Sequence, residues 1–190
     1  RTDLGKAYED LNITYQDLQN HVVIVDQLQS LGHRINAAID IRAILRELVE
    51  GAHHLLDCEF CLIAFREKED QQYHFYTNNE ICQFFLDMGG DSPINSLPFF
   101  KDPSALGESF IDNNPAEELV RPMRPYHVET SNIMAVPLTQ DNKVLGFLAG
   151  FNKKNGGFSS TDRFLVRALA GTAITAIMNS SLVRGFKGLF

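Results

Sequence analysis

The stretch Ser131-Asn132-Ile133-Met134-Ala135-Val136-Pro137-Leu138, continued by Gln140-Asp141-Asn142 and then Lys143 to Phe151, decides how this chain is read. Apolar, branched and aromatic residues on either side of a short polar turn are expected to pair as an antiparallel hairpin, with strands over 132–138 and 143–151. Pro137 has no N–H to give a ladder, which points to an edge or an irregularity late in its strand. Gly146 and Gly150 within the second strand suggest close approach by another backbone or by a ligand. Beyond the loop 152–158, Ser159 stands at a helix N-cap and Asp162, three residues on, completes a capping-box variant. Leu165, Leu169, Ala173 and Ile177 carry that helix at least to Asn179.

Upstream, Asp40 is placed to cap a helix on which Ile41, Ile44, Leu45, Leu48, Val49, Ala52, Leu55 and Leu56 follow i, i+3, i+4, i+7 spacing. It runs into Phe60-Cys61-Leu62-Ile63-Ala64-Phe65, a strand apolar on both faces and so expected inside a sheet. Polar residues 67–72 turn the chain, and 73–77 returns as a second strand. From 78 to 130 the pattern is irregular. Ile81, Phe84, Phe85 and Met88 suit a short helix, and Ser109-Phe110-Ile111 suits a strand ended by Asp112-Asn113. Gly89-Gly90 and the prolines at 93, 98, 103, 115, 122 and 125 punctuate the rest. A long irregular excursion in a compact domain is more often functional or mobile than structural filler. The element order predicts an α+β domain, an antiparallel sheet with helices on its face.

Residues 4–30 hold one glycine, Gly5, and no proline, and read as a long helix with Leu4, Leu11, Leu18 and Val25 on a seven-residue repeat, one seam of a coiled coil. The second seam position, Ala7, Thr14, His21 and Leu28, is weaker. The alternative is a single amphipathic helix lying on the domain. Gly32 marks an expected break. The chain thus divides into a connecting helix over 1–32, a domain over 33–182 and the start of a connector over 183–190.

With 190 residues, 44% of them hydrophobic, the chain suffices for one sizeable core. A net charge of −7 without a local basic cluster argues against nucleic acid or an anionic membrane surface as partner. No apolar run reaches the roughly 20 residues of a membrane span. There is no G-x-S-x-G, H-E-x-x-H, Walker loop or dinucleotide fingerprint, so no catalytic residues are assigned. Cys58 and Cys61 form a C-x-x-C, with Cys82 the third cysteine. Three residues of extended strand advance about 10 Å, beyond the Cα separation of about 7 Å that a disulfide spans. No second C-x-x-C completes a zinc site. All three are expected to be structural thiols in a reducing, hence cytoplasmic, compartment. The adjacent His53 and His54 point about 100° apart on a helix and are not expected to bind metal.

Several spaced features together resemble the GAF domain family. Ser131 to Leu138 is similar to its "S-x-x-x-x-V-P-L" strand, and Val144-Leu145-Gly146 with Phe147-Leu148 to its "v-l-G-v-l" strand. Asn152-Lys153, then Phe158-Ser159 and Asp162, is similar to its loop into the final helix. Ile39-Asp40-Ile41 and Leu55-Leu56-Asp57 agree at the early helix. The resemblance covers roughly 33–182, with 78–130 matched only in outline. It implies a GAF-like, PAS-like sheet with terminal helices on one face and a small-molecule pocket on the other, under residues 78–130. Asn152, Lys153, Phe158 and Asp162 also resemble four letters of the N-K-F-D-E signature of cyclic-nucleotide-binding GAF domains; the fifth, Glu there, is Arg163 here. In the family this signature braces the domain, so only a structural Lys153–Asp162 pair is carried over. A cyclic nucleotide is possible and not favoured. A bilin needs a cysteine beside a histidine, which this chain lacks, and His74 or His127 alone is weak evidence for haem.

Position and residue type nominate Phe99, Phe100, Met123 and Tyr126 as apolar pocket walls, and Asp112, Asn113, His127, Ser131 and Asn132 as polar contacts. The alternative is that these residues pack the irregular segment on the sheet, with Asp112-Asn113 a turn. The expected function is a non-catalytic sensory module of a bacterial signalling protein. It would act as a parallel homodimer joined through its terminal helices, where Ala168, Gly171, Ala173 and Ala176 permit close approach. A structural dimerisation module without ligand is the rival. A methionine sulfoxide reductase, as in a few GAF-like domains, would require cysteines lining the pocket. The ending Phe186 to Phe190 is similar to the segment leading into HD-GYP cyclic-di-GMP phosphodiesterases; histidine kinase and GGDEF (diguanylate cyclase) outputs are the alternatives.

Overall fold

In the order of the chain, helix α1 (Thr2–Ala37) and helix α2 (Ile41–Leu56) are followed by β1 (Cys58–Phe65), β2 (His74–Thr77) and β3 (Phe110–Asp112). A short α3 (Glu117–Val120), the hairpin strands β4 (Ile133–Gln140) and β5 (Lys143–Lys153), and a final helix α4 (Ser160–Lys187) complete it. The computed structural model describes residues 2–38, 40–65, 74–80, 82–83, 109–121, 124 and 129–187. Of the expected short helix around 81–88, only Cys82 and Gln83 fall within them.

The strands form one antiparallel sheet in the order β2-β1-β5-β4-β3. The hairpin closes through Asp141 and Asn142, both at positive φ (48° and 61°), the pair of conformations that a two-residue turn between twisted strands requires. Leu138 pairs with Gly146 but Thr139 with Val144, so Leu145 is an extra residue on β5. This bulge turns Leu145 into the core. Pro137 pairs with Phe147 on the β5 side, and β3 covers β4 only from Ile133 to Ala135. The missing N–H of Pro137 therefore falls beyond the β3 ladder. A Cβ at Gly146 would overlap the Ala64 carbonyl across the β1–β5 ladder. Gly146→Ala is thus expected to lower stability by about 1–3 kcal/mol, read as a lower urea midpoint with unchanged slope.

The helices pack on one face. There α2 buries the predicted stripe of Ile41, Ile44, Leu45, Leu48, Val49, Ala52 and Leu56, and α4 buries Leu165, Val166, Leu169, Ala170, Ala173, Ile174 and Ile177. Together with Ile63, Phe65, Met134, Val136 and Leu148 of the sheet they make the larger core. Asp40 is extended ahead of α2 and its carbonyl accepts from Ile44 N (3.0 Å), although its side chain makes no cap bond. The broad α2 stripe, more than its cap, holds that helix.

Three expectations are corrected. Gly32 does not break α1, which runs 36 residues through it. Leu31 and Ile35 on either side are buried, and a Cβ at Gly32 would lie 3.8 Å from Thr172 of α4, so packing overrides the glycine's weak helix propensity. Ala173 and Ala176 face their own core and are not available to a second chain; Ala168 and Gly171 remain exposed. Cys58 and Cys61 lie on the same side of β1, because the strand does not alternate strictly at its start.

Candidate functional site

On the face away from the helices, Phe60, Leu62 and Ala64 of β1, Ile133 and Ala135 of β4, and Phe147, Ala149 and Phe151 of β5 form a second apolar cluster. Phe60 and Phe151 stack with centroids 4.6 Å apart and planes 4° from parallel. Phe75, Phe110 and Leu119 pack against its margin, and Cys82 is buried within it. Burial, then the charge of Glu59, pushes the Cys82 thiol up to about 11. At neutral pH it is protonated, a poor nucleophile for attaching a ligand or for thiol chemistry on this face.

The loop between β5 and α4 is braced by side chains. Asn152 sits at φ 57° and commits both ends of its amide. Its Oδ1 accepts from Ser131 N (2.8 Å) and Ser131 Oγ (3.2 Å), and its Nδ2 donates to Glu129 O (2.6 Å) and Glu59 Oε2 (2.7 Å). Asn132 Oδ1 accepts from Lys153 N (2.8 Å), and its Nδ2 donates to Gly156 O (3.3 Å). Lys153 Nζ lies 2.7 Å from Asp162 Oδ1 and also donates to Leu56 O at 3.0 Å. Asp162 Oδ2 accepts from Ser159 N (2.7 Å) and Ser159 Oγ (2.9 Å), and Ser159 Oγ accepts from Asp162 N (3.2 Å). That is a capping box at the start of α4, reinforced by a cation. The pair's side chains are only 17% and 8% exposed, so it is less screened than an ion pair on the surface.

Of the polar pocket candidates, four are described, and each has local partners. Asp112 Oδ1 accepts from Asn114 N (2.9 Å), a turn. Asn113 accepts from Phe158 N (2.8 Å) and donates to Phe158 O (3.1 Å), pinning the loop ahead of α4 to the end of β3. Ser131 and Asn132 belong to the brace. Phe99, Phe100, Met123, Tyr126 and His127 lie outside the described residues. The amides of Asn113 and Asn132 tie loops together, and Asp112-Asn113 forms the turn that the sequence offers as the alternative. The polar spacing Asn113…Phe158 carries no local signal, being 45 residues apart. Asn113→Ala is expected to lower stability by about 1–3 kcal/mol, since it strands a buried backbone N–H and C=O together; equilibrium denaturation reads it.

Outside this face, an open groove of about 270 Å³ runs between α1 and α2, lined among others by Asp26, Arg34, Gly51 and His54. Among the described residues no group of three or more His, Cys, Asp or Glu is placed to hold a metal ion, and no helix is long and apolar enough to cross a membrane.

The sheet order, the helix layer and the braced loop together define a fold class, and comparison names it. The family model of the GAF domain matches residues 38–178, and the chain belongs to that family. Among solved structures, the GAF domain of an Acinetobacter phosphoenolpyruvate-protein phosphotransferase aligns with TM-score 0.64 at 17% identity, covering 86% of this chain and 98% of that one. Its counterpart from Coxiella burnetii gives 0.66 at 12%, covering 88% and 97%. A methyl-accepting chemotaxis protein fragment gives 0.61 at 18%, covering 80% and 98%. At these identities the likeness is one of fold.

Proposed function

We propose that this GAF domain is a non-catalytic sensory module that relays change through paired terminal helices to an output domain. The contact between those helices carries the reading. Helix α1 packs against α4, so closely at Gly32 that an added Cβ would lie 3.8 Å from Thr172, so a shift of one helix would displace the other. Helices α2 and α4 cover one face of the sheet, with α1 packed against both, and the other face is the apolar cluster, where a small ligand would sit. GAF domains are in general regulatory rather than catalytic, and they often dimerise within multidomain chains. The similar structures from a chemotaxis protein and from phosphotransferases fit that setting. An HD-GYP, histidine kinase or diguanylate cyclase output suits the C-terminal connector, and a cytoplasmic location suits the thiols. Native mass spectrometry of the protein as purified, followed by hydrogen exchange with and without any released compound, tests it. Ligand-dependent protection in both α1 and α4 is the expected result; protection confined to the sheet would sink the relay. No hydrolysis of cyclic nucleotides or nucleoside triphosphates is expected beyond that of mock-purified controls.

One observation favours the second reading, a ligand-free dimerisation module. Asn113, Ser131 and Asn132, nominated as ligand contacts, spend their hydrogen bonds on the loops. A protein that arrives empty and whose melting temperature responds to no compound from a metabolite panel would select it.

A further inference from the structure

Cys58 and Cys61 belong neither to the apolar sheet face nor to the brace. Both are buried on the helix side of β1, and their sulfurs are 3.5 Å apart. Strict alternation would place residues 58 and 61 on opposite faces, about 10 Å apart. The chain departs from it at two points. Asp57, just before β1, sits at φ 48°, and Asn152, between the partners of Cys58 and Phe60, sits at φ 57°. Glu59 consequently turns out to solvent, where it accepts from Asn152 Nδ2, and Cys58 swings in beside Cys61.

We propose that Cys58 and Cys61 are a redox-active dithiol, which a hydroperoxide closes to an intramolecular disulfide. The two sulfurs divide the work. A hydrogen bond from Cys61 lowers the pKa of Cys58, and the charge of Lys153 adds to this; burial pushes Cys61 well up. Cys58 is therefore the attacking thiolate and Cys61 the resolving thiol. The Cys58 sulfur takes the outer oxygen of the hydroperoxide; the O–O bond breaks, and the alcohol leaves with the proton that Cys58 gave up. Cys61 sulfur then attacks the Cys58 sulfenic acid, and the displaced hydroxide takes the Cys61 proton to form water. Two thiols and one hydroperoxide become one disulfide, one alcohol and one water, with two electrons passing from sulfur to oxygen. Both sulfurs are enclosed, so the reaction proceeds through local opening of the chain around residues 57–60 and runs more slowly than on a free thiol.

Closing the bond brings the sulfurs about 1.5 Å nearer. The backbone that must follow is tied to the loop brace: Leu56 O accepts from Lys153 Nζ, and Asp57 O accepts from Lys154 N at 2.9 Å. Oxidation thus pulls on the residues that hold the start of α4.

The folded chain is treated with hydrogen peroxide, quenched, denatured and alkylated, and its mass and peptides are read. Loss of two hydrogens, one alkylatable cysteine (Cys82) and a 58–61 link within one peptide are expected, all reversed by dithiothreitol. Three alkylatable cysteines after treatment, a link to Cys82, a link between chains, or sulfinic acid without disulfide would each overturn the proposal. These readouts on the unaltered chain need no variant to fold. In Cys61→Ser, confirmed folded by circular dichroism, Cys58 is expected to stop at sulfenic acid and be trapped by dimedone. The proposal does not depend on the sensory reading, since it concerns the chain's own mass.

Discussion

Asp162→Ala is expected to lower the folding stability by about 3 kcal/mol. Removing the carboxylate abolishes the capping box, worth about 1 kcal/mol. It also leaves the Lys153 ammonium in a site where its side chain is only 17% exposed, with the Leu56 carbonyl as its remaining acceptor. An ion left without its partner in such a place costs about 2 kcal/mol more, less than the fully buried case because water reaches it in part. Lys153→Met should be milder, about 1–2 kcal/mol, since Asp162 keeps the donors Ser159 N and Oγ. The double variant should recover part of the loss, because no charge is then stranded. Urea denaturation of the four proteins measures this cycle. A single Asp162→Ala loss below about 1 kcal/mol would show that the pair behaves as a solvated surface bridge.

The combination Leu11→Asp and Leu18→Asp is expected to convert a parallel homodimer into a folded monomer. Leu4, Leu11, Leu18 and Val25 are 84%, 67%, 63% and 51% exposed on α1, an apolar seam turned to solvent. On α4, Phe164 is 69% exposed, with Ala168 and Gly171 exposed one and two turns further along. Burying one leucine contributes about 1.5–3 kcal/mol, so four seam positions per chain are enough to offset the entropy of association. Light scattering reads the mass and circular dichroism the retained core. An unaltered chain that is monomeric at high micromolar concentration removes the dimer, and an antiparallel pair removes the proposed relay, which needs both carboxyl ends on one side.

Much of this fold was legible because its signals are local. The α2 stripe, the Asp141-Asn142 turn and the Ser159/Asp162 cap each sit within a few residues of sequence, and the structure forms all three. The Lys153–Asp162 pair, nine residues apart, came instead from the resemblance to the family's signature. What failed was long-range or a local compromise. Gly32 reads as a breaker until Leu31 and Ile35 are seen to be buried around it. Cys58 and Cys61 read as far apart until two left-handed residues, Asp57 just before β1 and Asn152 on β5, are known. The polar candidates are ambiguous in sequence for a related reason: an amide near a loop has the same appearance whether it meets a ligand or, as with Asn113 and Phe158, a backbone 45 residues away.

The length of α1 gives the molecule a mechanical advantage. Leu31 and Ile35 are its anchored end, and the residues from Leu4 to Val23 are exposed. At about 1.5 Å per residue, the 26 residues or so ahead of the anchor form an arm about 39 Å long. A tilt of about 5° at the anchor, the sort of adjustment one side-chain repacking allows, would sweep the far end of such an arm through about 3 Å. Two such arms held together cannot swing apart freely, so a small change at the fulcrum would appear at the far end as a twist or a slide of one arm along the other.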